Sequence, residues 1–312
     1  MKIVFMGTPD FSVPALEALV SAGHQVVGAV TQPDKPKGRG KEMQMSPVKE
    51  KALDLGIPVY QPVKARDPEF VKLLEELAPD VMVVVAFGQI LSKSILDIPP
   101  YGCVNIHASL LPKYRGAAPI QYAVINGESE SGVTTMMMDE GIDTGDMLDQ
   151  EKLVLASDET GGSLHDKLSK LGAELIIKTL EKLERHTAVR TPQKNEDACY
   201  VGMIKKNMGD IDWTMDAVSI ERLIRGLNPW PSAFTSWNGK ILKLWQADTA
   251  EEEYEGSCGQ IVKITRDRIY IKTGKGCLAV KELQLQGKKR MEVSAFLRGY
   301  EIAEGTILER SM

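Results

Sequence analysis

The chain has 312 residues, which exceeds the usual size of one domain and predicts two. Apolar residues make up 43% and charged residues 26%, as in ordinary globular proteins, and no apolar run reaches the ~18 residues that a membrane-spanning helix needs. The formal net charge of −5 argues against nucleic-acid binding through overall charge, so any such binding requires a local basic surface.

The N-terminal stretch and the cysteines bear on location. The apolar stretch between Lys2 and Gly7 is shorter than the ~7–15 residues of a secretory signal and predicts a buried first strand. The four cysteines lie far apart without a Cys-x-x-Cys pair, which argues against a zinc ribbon or a disulfide framework and predicts a reducing cytoplasmic location. Cys103 is expected to be a small buried hydrophobe.

Strand and helix patterns alternate along the first 185 residues. Strands are predicted at 2–7, 25–31, 58–60, 80–87, 102–107 and 132–139. Helices are predicted at 10–23, 46–55, 68–78, 118–127 and 161–185. Such steady alternation predicts an α/β domain, in which helices cover both faces of a parallel sheet.

The pattern changes in the second half of the chain. Residues 186–202 are polar and patternless, as in a linker, and a short helix is predicted at 216–227. Period-two segments separated by glycine turns follow and predict a small antiparallel β barrel. The predicted domains are 1–188 and 206–312, with the linker at 189–205.

The stretch "NIHASLLPKYRG" (105–116) contains the first candidate site residues. Asn105 and His107 share a strand face because side chains two apart point the same way. A lone histidine is usually a satisfied core residue. This pair, however, ends a strand of a parallel sheet, and ligands of such sheets lie beyond the carboxyl ends of the strands. The segment after Asp139 is expected at another such end.

A second loop, "DEGIDTGDM" (139–147), supplies carboxylates that could orient His107 and fix its tautomer. Gly141 and Gly145 bracket Asp143 and indicate a constrained backbone there, which favours Asp143. Asp139 and Asp146 remain alternatives. The loop lacks the spacing of a calcium site, so no metal is predicted.

Two other chemistries are disfavoured. "GTPDFS" (7–12) has one glycine of the three in a dinucleotide fingerprint, which argues against a nicotinamide dehydrogenase. Ser109 lies two residues from His107 without a Gly-x-Ser-x-Gly elbow, so it more simply caps a turn or lines a ligand.

An amide, an imidazole and a carboxylate together suit direct transfer of an activated acyl group to an amine. Asn105 and a protonated His107 can donate to the oxyanion, while Asp143 stabilises the imidazolium and helps to take the proton of the amine. Each preorganised donor of this kind contributes on the order of 10²–10³ in rate.

These residues resemble the formyltransferases that use 10-formyltetrahydrofolate. The shared pattern is Asn-x-His, then Ser-Leu-Leu-Pro-x-x-Arg-Gly, then a distal Asp, and all of it occurs in 105–116 and 132–148. The stretches "FMGTPDFSVPALEAL", "TQPDKPKGRGKEMQMSPVK" and "NPWP" are similar to members that act on methionyl-tRNA, over essentially the whole chain.

The resemblance implies transfer of a formyl group from 10-formyltetrahydrofolate to the α-amino group of initiator methionyl-tRNA, in support of translation initiation. It implies a Rossmann-like first domain, catalysis by Asn105, His107 and Asp143, and an OB-like barrel that helps to hold tRNA. A monomer is expected. The implied folate-binding residues are Phe87, Gly88, Gln89, Ile90, Ser109, Leu110, Leu111, Pro112, Asp139 and Gly141.

Phosphate contacts must rest on two basic clusters, because neither half of the chain is strongly basic. These are "KPKGRGK" (35–41) and "GKKR" (287–290). The first is interleaved with proline and glycine, which predicts a mobile loop that orders on a ligand, with Arg39 as the key contact and Lys41 next. The full predicted tRNA-binding set is Lys35, Lys37, Arg39, Lys41, Lys288, Lys289 and Arg290.

Three rivals are weighed against this interpretation. A formyltransferase for a nucleotide-sugar amine would look alike through the catalytic strand, but the basic loop and "GTPDF" favour tRNA. A glycinamide ribonucleotide transformylase would be expected to stop near residue 200. A non-catalytic RNA-binding protein would have no need for Asn105, His107 and Asp143 together.

Overall fold

The computed structural model describes residues 1–37, 42–250, 252 and 254–311. The chain forms two compact units. The first comprises residues 1–119, 130–154 and 165–201, and the second comprises 120–129, 155–164 and the chain from 202 onwards. Within the described ranges, no helix is both long and apolar enough to cross a membrane.

The strands and helices are numbered in chain order. Strands β1–β11 of the first unit are Lys2–Gly7, Gln25–Val30, Lys35–Lys37, Glu42–Gln44, Val59–Tyr60, Val81–Val85, Cys103–His107, Arg115–Gly116, Glu130–Met137, Met147–Val154 and Tyr200–Val201. Strands β12–β17 of the second unit are Ala233–Trp237, Lys240–Ala250, Ile261–Ile264, Ile269–Lys272, Cys277–Leu285 and Met291–Glu292. Helices α1–α8 are Val13–Ser21, Pro47–Asp54, Pro68–Leu77, Lys93–Leu96, Pro119–Ile125, Gly161–Glu184, Ala217–Gly226 and Val293–Phe296.

The main sheet of the first unit has the strand order β10-β9-β7-β6-β1-β2-β5. The five strands from β7 to β5 are parallel, but β9 runs antiparallel to β7, and β10 runs antiparallel to β9. The α/β class is confirmed, and the sheet is mixed rather than wholly parallel. The sequence did not predict β10 because this edge strand is only half-buried along its length and has no continuous apolar run.

Helices cover both faces of this sheet. On one face, α6 packs close to β7, since a Cβ atom on Gly172 would lie 2.8 Å from Cγ2 of Ile106. On the opposite face, Cys103 belongs to a buried cluster with Phe70 and Leu74 of α3. Asn105 and His107 share this second face because they lie two and four residues after Cys103.

The second unit is built on an antiparallel sheet with the order β12-β13-β16-β15-β14, and β17 pairs with β16. The C-terminal segment bridges the two outer strands. Ser236 of β12 and Glu309 exchange backbone hydrogen bonds of 2.7 and 3.1 Å, and the amide of Ile261, at the start of β14, donates to the carbonyl of Thr306 at 2.8 Å. These bonds close the sheet into the small barrel that the sequence predicts.

The segment predicted as a linker, 189–205, does not behave as one along its whole length. Thr191 and Met147 exchange two backbone hydrogen bonds of 2.9 Å, and β11 pairs in parallel with β8. Residues as far as Val201 therefore belong to the first unit, which extends beyond the predicted boundary at 188. The side chains of this segment can be polar and aperiodic because backbone hydrogen bonds make much of its attachment to the first unit. We call residues 189–201 the strap.

Candidate active site

The imidazole of His107 is held at both ring nitrogens. Nε2 lies 2.9 Å from the carbonyl oxygen of Tyr114, and because a carbonyl only accepts, Nε2 carries a proton. Nδ1 lies 3.6 Å from Oδ2 of Asp143. Proton exchange at this site therefore falls to Nδ1, which faces a carboxylate.

Asn105 lies beside His107 on the same face of β7. The other four residues of this strand are buried, whereas Asn105 is partly accessible. Its carboxamide can therefore meet a ligand from the same side as the imidazole.

Asp143 is the aspartate that faces His107, which answers the question that the sequence left open. The backbone amide of Gly116 donates to the same Oδ2 atom at 2.8 Å and helps to fix its position. The carboxylate of Asp139 serves the loop itself, since its Oδ1 accepts from the amide of Gly141 and the hydroxyl of Thr144.

The loop reaches His107 by a route other than the expected one. Because β9 is antiparallel, its end lies beside the amino end of β7, where the amide of Met138 donates to the carbonyl of Cys103. The loop then folds back over the sheet until Asp143 meets His107. The expectation that this segment follows a carboxyl end of the parallel sheet is wrong.

The backbone around Asp143 is constrained, as the flanking glycines predict. Asp143 itself has φ of +53°, in the left-handed region. A Cβ atom at Gly145 would lie 1.8 Å from the carbonyl oxygen of Met137. Gly116 has φ of +106°, and a Cβ atom there would lie 2.4 Å from the carbonyl oxygen of Val201. The approach of the strap therefore requires glycine at 116.

Neither Cys103 nor Ser109 is activated as a nucleophile. Burial raises the pKa of the Cys103 thiol to about 12, which agrees with its expected role as a small hydrophobe. The hydroxyl of Ser109 is buried and donates to the carbonyl of Lys113 at 2.6 Å. Both features argue against a covalent intermediate on either residue.

The residues predicted for folate differ in accessibility. Phe87 lies in the apolar cluster of α3, and the side-chain amide of Gln89 bonds to the backbone of Ala65 and Pro62. Ser109 and Leu111 are buried, and the amide of Leu111 donates to Thr134. These side chains shape the local backbone. The members of the set that are at least partly accessible are Gly88, Gln89, Ile90, Leu110, Pro112, Asp139 and Gly141.

The residues predicted for tRNA are only partly described. Lys35 is exposed on β3, whereas Arg39, Lys41 and the side chain of Lys37 lie outside the described residues. Lys288 and Lys289 are exposed after β16.

Arg290, the remaining predicted contact, is already engaged. It pairs with Glu282, and its guanidinium carbon lies 4.8 Å from the ring centroid of Trp245. Lys243 also lies over this ring, at 5.6 Å, and was not predicted.

The sequence also left parts of the active-site scaffold unassigned. The carbonyl of Tyr114 and the amide of Gly116 are backbone groups, which side-chain patterns do not reveal. Arg115 stands out next to Gly116, but nothing in the pattern indicates its partners. Gln193 lies in the polar strap, where no sequence signal separates it from its neighbours.

Comparison with known proteins identifies the family. Residues 1–180 match the family model for formyl transferases, and residues 203–301 match the formyl transferase C-terminal domain. The chain is 59% identical over 308 residues to the methionyl-tRNA formyltransferase of Agathobacter rectalis, covering 98% of this chain and 99% of that one. It is 54% identical over 313 residues to the methionyl-tRNA formyltransferase of Lachnospira eligens, covering 99% of both chains.

A solved structure shares the fold. The N-formyltransferase of Helicobacter canadensis, in complex with folinic acid and dTDP-3-aminofucose, aligns with a TM-score of 0.68 and 20% identity, covering 93% of this chain and 100% of that one. Two family models match, and the two relatives are more than half identical over nearly their whole length. The chain therefore belongs to the formyltransferase family, alongside the methionyl-tRNA formyltransferases.

Proposed function

We propose that the protein transfers the formyl group of 10-formyltetrahydrofolate to the α-amino group of initiator methionyl-tRNA. One observation carries this assignment, namely 59% identity to a methionyl-tRNA formyltransferase over 98% of this chain and 99% of the relative. The candidate residues Asn105, His107 and Asp143 lie inside the part of the chain that matches the formyl transferase model. The reaction would support translation initiation in the cytoplasm.

The amine nitrogen attacks the formyl carbon, and the carbonyl oxygen becomes an oxyanion. The amine loses a proton, the bond from the formyl carbon to N10 breaks, and N10 takes up a proton. The carboxamide of Asn105 donates to the oxyanion, a contribution of about 10²–10³ in rate. Nδ1 of His107 accepts the proton of the amine, and the carboxylate of Asp143, 3.6 Å away, stabilises the imidazolium that forms.

This assignment modifies the role that the sequence suggests for His107. In the sequence-based mechanism, the protonated imidazole of His107 donates to the oxyanion. In the structure, however, Nε2 of His107 donates to the carbonyl of Tyr114. A bond to a backbone carbonyl fixes the ring orientation and leaves Nδ1 as the atom that exchanges protons. The base role is therefore the stronger one for His107.

The formyl donor is proposed to bind between the segments at 86–90 and 139–142. Ile90 and Ile142 are 81% and 61% exposed, and each offers apolar surface to the flat ring system of a folate.

The acceptor is proposed to be held through its phosphates by Lys35, Lys288 and Lys289, all of which are exposed. Arg39 and Lys41 stay predictions. Arg290 would have to exchange Glu282 for a phosphate oxygen, which costs little at a partly exposed ion pair.

A parallel assay of acceptors tests the proposal. The protein is given 10-formyltetrahydrofolate with initiator methionyl-tRNA, elongator methionyl-tRNA or an aminated nucleotide sugar, and the formylated products are quantified. We expect initiator methionyl-tRNA to be formylated fastest and uncharged initiator tRNA, which lacks the amine, to give no product. Faster formylation of the sugar would overturn the assignment.

A further inference from the structure

A buried arginine of β8, Arg115, bonds to three side chains of the strap. Arg115 is 1% exposed, and its Nε donates to Oε1 of Gln193 at 2.9 Å. Its Nη1 donates to Oδ1 of Asn195 and to the hydroxyl of Tyr200, at 3.0 and 2.9 Å. These acceptors are neutral oxygens, so the guanidinium orders the side chains of the strap.

Gln193 connects Arg115 to the backbone of Asp143. Because Oε1 of Gln193 accepts from Arg115, its amide nitrogen must face the other way. That nitrogen donates to the carbonyl oxygen of Asp143 at 2.8 Å and to that of Gly145 at 2.7 Å. One side chain thus holds the two carbonyls that flank Thr144.

The backbone of Asp143 needs such a hold. Aspartate enters the left-handed region more readily than most residues, but the conformation still costs free energy that contacts around Asp143 must offset. The amide of Gly116 fixes the carboxylate end, and the Gln193 amide fixes the main-chain end of the same residue.

We infer that Gln193 is a positioning residue for the reaction, which holds Asp143 so that its carboxylate faces Nδ1 of His107. This inference rests on the proposed catalytic role of Asp143. Gln193 acts through Asp143, and Arg115 sets the orientation of the Gln193 amide. A misplacement of about 1 Å at a reacting group can cost about 10²-fold in rate.

The first test is Gln193→Ala in the full-length protein. We expect kcat for formylation of initiator methionyl-tRNA to fall about 10- to 100-fold, while KM for 10-formyltetrahydrofolate stays within about twofold. A fall in kcat without a change in KM is the result of a misplaced carboxylate. A kcat within about threefold of the wild type would overturn the inference.

Two matched variants separate positioning from folding. Gln193→Glu keeps an oxygen for Arg115, but its second carboxylate oxygen cannot donate to the carbonyls of Asp143 and Gly145 and repels them when ionised. We expect a folded protein, as judged by a cooperative thermal transition, with a kcat at least as low as that of Gln193→Ala. Asn195→Ala removes one contact of the same arginine without touching Asp143, and we expect kcat within about threefold of the wild type. Recovery of kcat in Gln193→Glu would show that Gln193 only stabilises the strap and would overturn the inference.

A double-mutant cycle with Asp143→Asn separates this inference from the proposed function. We expect Asp143→Asn to lower kcat strongly and Gln193→Ala to add little in that background, because both changes act on one group. A Gln193→Ala loss that persists in full beside Asp143→Asn would overturn the positioning role alone. Near-native kcat in Asp143→Asn itself would overturn the proposed role of Asp143, and the inference with it.

Discussion

The two units each contain an arginine that lies over an aromatic ring, but the two differ in burial and in partner. Arg115 belongs to the first unit, and Arg290 belongs to the second. Each lies over an aromatic ring, at 5.6 Å from the Tyr200 centroid and 4.8 Å from the Trp245 centroid. Arg115 is 1% exposed and bonds to neutral oxygens. The Arg290 side chain is 44% exposed and pairs with the carboxylate of Glu282.

The difference separates two uses of a positive charge. Water has little access to the guanidinium of Arg115, whose Nη2 has no hydrogen-bond partner among the described residues, so loss of its contacts with the strap would leave further N–H groups unsatisfied. Arg290 can exchange its partner at small cost, because exposed ion pairs contribute little. Arg115 is thus held in one geometry, whereas Arg290 is exposed and can change its partner.

The largest expected effect is a loss of catalytic rate in the first unit, where His107 is held in one orientation. His107→Ala removes the proposed base, and we expect kcat to fall by about 10²–10⁴-fold, the usual contribution of a general base. Single-turnover formylation at saturating donor measures it. The unfolding midpoint serves as the control for folding, and a rate within tenfold of the wild type would contradict the role of His107.

The next effect compares the two arginines directly. Arg115→Met takes a donor from Gln193, which is half-buried, and from Asn195 and Tyr200, which are exposed and can bond to water instead. We expect a loss of about 1–3 kcal/mol in the free energy of unfolding. Arg290→Met removes an exposed ion pair and a ring contact and should cost less than about 1 kcal/mol. Urea unfolding followed by circular dichroism measures both. Equal losses would show that burial does not separate the two sites.

The smallest effect concerns a charged contact of the second unit that responds to pH. The backbone amide of Ser219, and then its hydroxyl, hold the pKa of Asp216 below its usual value at the start of α7. A lowered pKa in the folded state means that this contribution is full above about pH 4 and is lost as pH falls through the folded pKa. Asp216→Ala should therefore cost about 1 kcal/mol at pH 7 and less in acid, as measured by thermal unfolding at both pH values.

The control for this last effect is Asp216→Asn, which keeps an oxygen that can cap the helix. We expect it to retain most of the stability at pH 7 and to show less pH dependence than the wild type. By contrast, the contacts of Arg115 with Gln193 and Asn195 should not depend on pH in this range, because side-chain amides do not ionise there. An Asp216→Ala loss that stays constant from pH 7 into acid would contradict the ionic part of this cap.

Local patterns were enough to predict much of the site. Asn105 and His107 emerge from strand periodicity and their place at the end of a strand, and Asp143 emerges from its flanking glycines. The direction of β9 was missed, because a strand pattern does not say which way the strand runs. The acceptor on Tyr114 was missed because it belongs to the main chain.

The strap shows why the rest could not be predicted. Gln193 lies 78 residues from Arg115 along the chain, and their bond forms only when the main sheet and the strap are both in place. A polar, aperiodic segment looks the same in sequence whether it is a free linker or is held by backbone bonds. Such non-local contacts leave no periodic trace.

The pairing of β11 with β8 has a consequence for where the catalytic half can be separated from the rest. A cut after residue 180, where the match to the N-terminal family model ends, would remove Gln193, Asn195 and Tyr200 together. Arg115 would then stay in the excised fragment without those three acceptors. An autonomous catalytic fragment has to extend at least to Val201, twenty or so residues beyond the point that homology alone would suggest.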